Sequence, residues 1–203
     1  MANIDAPKGL VPIGYASGAP WNGMLNMYLC DSGDSTLIGI GDLVKLAGGA
    51  GIAGQTVNGQ DVEGMPTITR SAAGDLHVGV VVGFLANQDN LMLKHRAVST
   101  NRIALVVDDP MVVFEVQEVS GGTALTAAAV GLNANIATVA DANTTTGVSV
   151  TELDNATEAT TADLDLKILG LVKRPGNAFG EHAKWKVMIS THSYGNSAGN
   201  SGL

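Results

Sequence analysis

Residues 49–54, Gly-Ala-Gly-Ile-Ala-Gly, carry the G-x-G-x-x-G spacing that in other chains cradles a dinucleotide pyrophosphate. That chemistry needs a helix to begin where the glycines end, because the helix N-terminus holds the phosphates. Here the chain continues as QTVNGQDVEGMP, which has no helical period and closes on Pro66, so no cofactor loop is expected. The four histidines, His77, His95, His182 and His192, follow no metal-ligand spacing, and neither zinc binding nor a histidine base is expected of them. His77 reads as structural and His192 as a surface or interface residue.

Oxygen-rich stretches at 31–35 (DSGDS) and 141–146 (DANTTT) offer calcium ligands without the spacing of a dedicated calcium loop. Asx-turn chemistry accounts for them. The serines form no G-x-S-x-G elbow, and Cys30 has no basic neighbour in sequence to activate its thiol. Asp108 and Asp109 project to opposite faces of an extended segment and so make no acid/base dyad. The residues predict a protein that is not an enzyme and uses no cofactor or metal.

The chain is 203 residues long with a net charge of −8, and only 15% of its residues are charged. An acidic surface repels phosphate backbones, so no nucleic-acid partner is expected. Between residues 103 and 166 there are ten acids and no Lys or Arg, a solvated face or a surface for a basic partner. The single cysteine excludes an intrachain disulfide. MANIDAPKGL lacks the basic-then-apolar pattern of a signal peptide, and no apolar run approaches the ~18 residues of a membrane span. The expectation is a soluble protein without a membrane partner.

The elements that must position these residues are mostly strands. The densest β signal runs from residue 75 to 119, through DLHVGVVVGFLAN, NRIALVVDD and MVVFEVQEV. In the first, Val78, Val80, Val82 and Phe84 share one face and Gly79, Val81, Gly83 and Leu85 the other, so both faces are apolar and should be covered. Val112, Phe114 and Val116 should face a core, with Glu115 and Gln117 outside. The short DDP connection predicts that the second and third runs pair with each other. LVPIGY, MLNMYLC, TLIGIG, DLVKLAG, PTITR, LKILGLVKR and KWKVMISTH read as further strands. In MLNMYLC, Leu25, Met27 and Leu29 alternate with Asn26 and Tyr28, a half-buried pattern.

Residues 48–65 and 137–165 read as long loops, the first with a small hairpin at Asn58-Gly59. The spacing of Leu125, Ala128, Ala129 and Leu132 predicts one helix of about two turns within 123–136, limited by Gly131. The fold expected is all-β, a sandwich or barrel of jelly-roll or β-tulip type with one short helix and long loops. Its parts are an arm and first strand (1–23), a β domain with one core (24–192) and a flexible tail (193–203).

Three stretches together resemble one family: ANIDAPKGLVPIGYASGAPWNG at the start, GDLVKLAG leading to PTITRSAAGDLHVGVVVGF, and STNRIALVVDDPMVVFEVQ with VGLNANI and NAFGEHAKWKVMISTHSYG. They are similar to the decoration, or cement, proteins that dress the outside of tailed-bacteriophage heads. The resemblance implies a virion protein, assembled in the host cytoplasm, that binds the major capsid protein as a symmetric dimer or trimer and stabilises the shell. It also implies an arm that meets the capsid through Asn3, Ile4, Asp5, Pro7 and Leu10, and an oligomer contact through Val81, Leu85 and Trp21. The alternative is a head fibre or a carbohydrate- or receptor-binding virion module, for which Trp21 in its Gly/Pro turn is the candidate sugar-stacking residue.

Overall fold

The computed structural model describes residues 3–137 and 139–195. Fourteen strands are formed among them: β1 (Val11–Tyr15), β2 (Asn26–Cys30), β3 (Leu43–Ala50), β4 (Thr56–Val57), β5 (Gln60–Asp61), β6 (Pro66–Arg70) and β7 (Gly79–Phe84) come first. β8 (Arg102–Val107), β9 (Val112–Gln117), β10 (Asn133–Ala134), β11 (Ile136–Ala137), β12 (Glu152–Leu153), β13 (Leu166–Leu171) and β14 (Lys184–Ile189) follow. The fold is all-β.

One of the expected forms, a closed barrel, is combined with an open sheet. Strands β2, β6, β3, β7 and β8 close a barrel, and β1, β9, β14, β13 and β10 make a five-stranded antiparallel sheet beside it. The barrel closes through a single parallel pair, Leu29 with Thr67. Its other neighbours are antiparallel.

The expected pairing of the second and third dense runs is overturned. β8 pairs with β2 and β7 inside the barrel, whereas β9 pairs with β1 and β14 in the sheet. Asp108-Asp109-Pro110 is therefore a crossing from one layer to the other and no hairpin. Both edges of β8 are already satisfied in the barrel, so the chain gains ladder bonds only by moving to the sheet.

The strand is covered on both faces as its sequence predicts, but the face sharing differs: Val78 and Phe84 join Val81 instead of Val80 and Val82, and the ladder shifts register between Val81 and Gly83. Val81 points into the barrel with Tyr28, Cys30, Ile38, Ile68 and Val106. Val80 lies in the sheet's core with Phe114, Trp185 and Val187, and Val82 packs against that core. Gly79 is needed for close approach: a Cβ there would stand 2.2 Å from the Val107 carbonyl oxygen.

The single core expected for the β domain divides into three clusters, and Leu10 from the arm belongs to the largest. In β2 Tyr28 and Cys30 point into the barrel and Leu29 is buried on the other face as expected, while Leu25 and Met27 are exposed. Polar Tyr28 is accommodated because its hydroxyl donates to Asp108 Oδ2 at 2.7 Å and lies 3.0 Å from Tyr194 Oη.

The expected helix shrinks to one 3-10 turn, Ala127–Ala129, capped by the Thr126 hydroxyl. Gly131 then takes φ +90° and its amide bonds the Ile168 carbonyl, which draws the chain onto β13. The 48–65 segment does hold a hairpin at Asn58 and Gly59 (φ +52° and +77°). It is no coreless loop, because Val57 and Val62 bury a small cluster with Leu29 and Ile103.

The 137–165 segment is likewise tied down. Glu118 at the end of β9 accepts from Leu125 N (2.7 Å), Trp185 Nε1 (2.9 Å) and Asn155 Nδ2 (3.3 Å). Burial pushes its carboxyl up while these three donors pull it down, and the net direction is up. Of the expected tail, Ser193 bonds His77 through its amide and Tyr194 meets Tyr28. Residues 196–203, like Ala2 of the arm, lie outside the described residues.

Candidate functional surfaces

The arm is latched onto its own chain. Asn3 Nδ2 donates to the carbonyls of Ala178 (2.9 Å) and Glu181 (2.8 Å), and its Oδ1 accepts from Ala178 N (3.0 Å). Ala6 N bonds Gln117 Oε1 at 2.9 Å, and the Leu10 amide bonds the Gly41 carbonyl at 2.9 Å. Leu10 is 1% exposed, so the structure contradicts its expected role as a capsid contact: its side chain is spent on the sheet's core. Asn3 and Pro7 are partly covered. Of the expected capsid contacts, Ile4, 78% exposed, and Asp5 are exposed, Asp5 with its carboxylate held by Gln117.

Beneath the latch lies an arrangement that sequence spacing does not reveal. Gln117, predicted to face out, is 2% exposed because the arm covers it. Its Nε2 donates to Asp5 Oδ1 (2.8 Å) and Glu152 Oε1 (2.7 Å) and lies 3.4 Å from His182 Nδ1. Asp5, Glu152 and His182 place one ligand atom each within 4.8 Å of one another, which is the donor set a divalent cation would take. The Gln117 amide stands among them and already uses its protons there, so the arrangement is a hydrogen-bonded latch. Lys184 donates to Gln117 Oε1 and to Ala6 O (3.2 Å), and burial lowers its pKa. A concavity of about 340 Å³ opens between the arm and the turn after β13.

Of the three residues expected at an oligomer contact, Val81 and Trp21 border one groove and Leu85 lies apart. Val81 is wholly buried inside the barrel and cannot touch a partner, which corrects that expectation. Leu85 is half-buried over the small cluster under the 48–65 hairpin. Trp21 walls a groove of about 490 Å³ with Leu10, Val11, Leu25, Val82 and Leu105, and Lys8 stands at its rim. The Trp21 Nε1 is shielded from solvent and finds no acceptor among the described residues. Exposed Met24, Leu25 and Met27 continue from this groove along β2.

The remaining charged residues are structural where they are buried. Arg96 bonds the carbonyls of Thr100 (2.9 Å), Asp34 (2.7 Å), Thr36 and Asp31, and Arg102 bonds those of Leu93 (2.7 Å) and His95. Between them they fix the base of the 86–101 loop. His192, expected at the surface, is 1% exposed, and His77 Nε2 lies 3.1 Å from Asp165 Oδ1 but misaligned for a hydrogen bond. Cys30 is buried in the barrel and its thiol is pushed up to about 12.

Compared with models of known protein families, with curated proteins and with solved structures, the chain shows no match. No helix among the described residues is long and apolar enough to cross a membrane. The candidate surfaces are the concavity under the arm, the Trp21 groove and the exposed aliphatic residues beside it.

Proposed function

We propose that this chain is a binding protein and not an enzyme: a decoration protein that attaches to the outside of a tailed-phage head as a symmetric homo-oligomer and stabilises the shell. The sequence resemblance supports the class, and the Trp21 groove is the observation that carries the binding mode. A groove walled by apolar side chains, the Trp21 ring among them, suits an extended apolar segment of a capsid subunit. Ile4 and Asp5 on the latched arm extend the same contact, in place of a free arm reaching across the capsid. Several such contacts per oligomer sum through effective concentration, so each one can be modest.

The test is sedimentation of the purified protein with expanded empty heads. Binding at micromolar protein, weakened at least about tenfold by Trp21→Ala and by Ile4→Asp, is the expected result. Protein that stays in the supernatant sinks the reading. A head fibre or glycan-binding module is the second reading, favoured by the same Trp21. It predicts quenching of tryptophan emission by host glycans and no sedimentation with heads.

A further inference from the structure

Two surfaces of this chain are chemically complementary, and neither is used within it. The first projects. The 86–101 loop and the β4–β5 hairpin are joined by Gln88 Nε2 bonding Asn58 O (2.9 Å) and Asn58 Nδ2 bonding Ala86 O (3.2 Å). From this joined base Leu91 and Met92 stand 78% and 80% exposed, with Asp61, Glu63 and Asp89 exposed on the same pair of loops against one exposed basic residue, Lys94, so the rim is acidic on balance. Two buried arginines hold the base, so the apolar tip is presented from a fixed platform.

The second surface is hollow. On the outer face of the sheet, Ile13, Tyr15, Pro20, Val113, Leu169 and Lys186 line a concavity of about 380 Å³. Its charge is cationic in a chain that is otherwise strongly acidic. Lys186 faces Glu115 across the β14–β9 pair, but both Glu115 oxygens are held by Arg174 at 2.7 and 2.9 Å. Lys173 is exposed on the adjoining turn.

We propose that the acidic-rimmed tip of one copy seats in the cationic hollow of a second copy, Leu91 and Met92 entering against Ile13, Val113 and Leu169. The occupant is another copy because the chain itself supplies both halves, apolar at their centres and opposite in charge at their rims. A tip-to-tip or hollow-to-hollow contact would instead bring like charges together. The contact is heterologous, so it builds a ring where the rotation closes. This rests on the homo-oligomer part of the reading above and not on its capsid part.

The experiment measures the mass of the full chain in solution by sedimentation equilibrium at low and high salt. A multimer that weakens with salt is expected. Lys186→Glu and Asp89→Lys should each raise the dissociation constant about tenfold, and the double variant should restore it. The pair Leu91→Ser and Met92→Ser should leave a folded monomer with an unchanged melting temperature, since both side chains are exposed. A monomer at every concentration overturns the contact, as does a multimer whose constant no variant moves. So does loss with Lys186→Glu that Asp89→Lys does not reproduce. Head sedimentation is read separately: a monomer that binds heads overturns only the contact, and a multimer with the expected variant pattern that ignores heads overturns only the capsid reading.

Discussion

Burial decides the protonation of His192. Removing the ring from water holds its pKa down at about 4, with Asp108 and Asp109 pulling upward and His77 downward. Its Nδ1 accepts the Tyr194 amide at 3.0 Å, so the neutral ring carries its proton on Nε2, which has no acceptor among the described residues. An unfolded histidine titrates near 6.5, so between that pH and about 4 the unfolded chain binds a proton that the folded chain refuses. Stability therefore falls as pH drops through this window, by about 3 kcal/mol in all. Asp42 and Glu118 act with the opposite sign. Burial raises both carboxyls, so the stability they favour at low pH is lost as pH rises past their unfolded values. His192→Asn keeps an acceptor for the Tyr194 amide and removes the titration, so its melting temperature should fall less than the parent's between pH 6.5 and 4. Parallel curves for the two proteins would refer the acid sensitivity to other groups.

At the scale of elements, the passage of the arm into the sheet depends on two glycines crossing. Gly9 and Gly41 take φ +65° and +96°, and a Cβ on either would stand 2.2 Å from the Gly41 oxygen or 2.1 Å from the Lys8 oxygen. Neither obstacle is a side chain that can swing away. Gly9→Ala or Gly41→Ala should each cost about 3 kcal/mol or more, read as a lower denaturant midpoint. An unchanged midpoint would mean that the arm does not pack as described. The same crossing explains what was legible in the sequence and what was not. Local alternation located β9 and β14, because Phe114, Val116, Trp185 and Val187 meet one core by period two. It misread β2, where Tyr28 goes inward through a partner at Asp108, far along the chain. The DDP hairpin and the free arm failed for the same reason: β8 and β9 pair with strands in other parts of the chain, and Asn3 bonds carbonyls 175 and 178 residues away, where no local pattern reaches. The candidate sites suffered most, since Gln117 brings Asp5, Glu152 and His182 together only after the arm has folded back.

For the whole molecule, the question is whether barrel and sheet are one cooperative unit. The chain passes between them after β1 and again after β8, and the barrel strands contribute Leu43, Val80 and Val107 to the core that the sheet forms with Trp185. Neither layer can unfold without exposing part of the other's apolar surface, so intermediates with only one layer intact are disfavoured. Each layer has its own reporter. Cys30 is the chain's single cysteine and lies in the barrel interior, whereas Trp185 is buried in the sheet's core. In a Trp21→Phe background, thiol labelling of Cys30 and emission of Trp185 should give the same urea midpoint. Val80→Ala removes two methyl groups from the shared core, and both midpoints should move down together by about 1–3 kcal/mol equivalent. Two separated midpoints, or a Val80→Ala effect seen by Trp185 alone, would make the barrel and the sheet independent units. A protein built that way could lose one layer while the other stayed folded. The shared core of Leu43, Val80 and Val107 argues that this chain cannot, because the face of β7 that covers the sheet belongs to the same strand that closes the barrel.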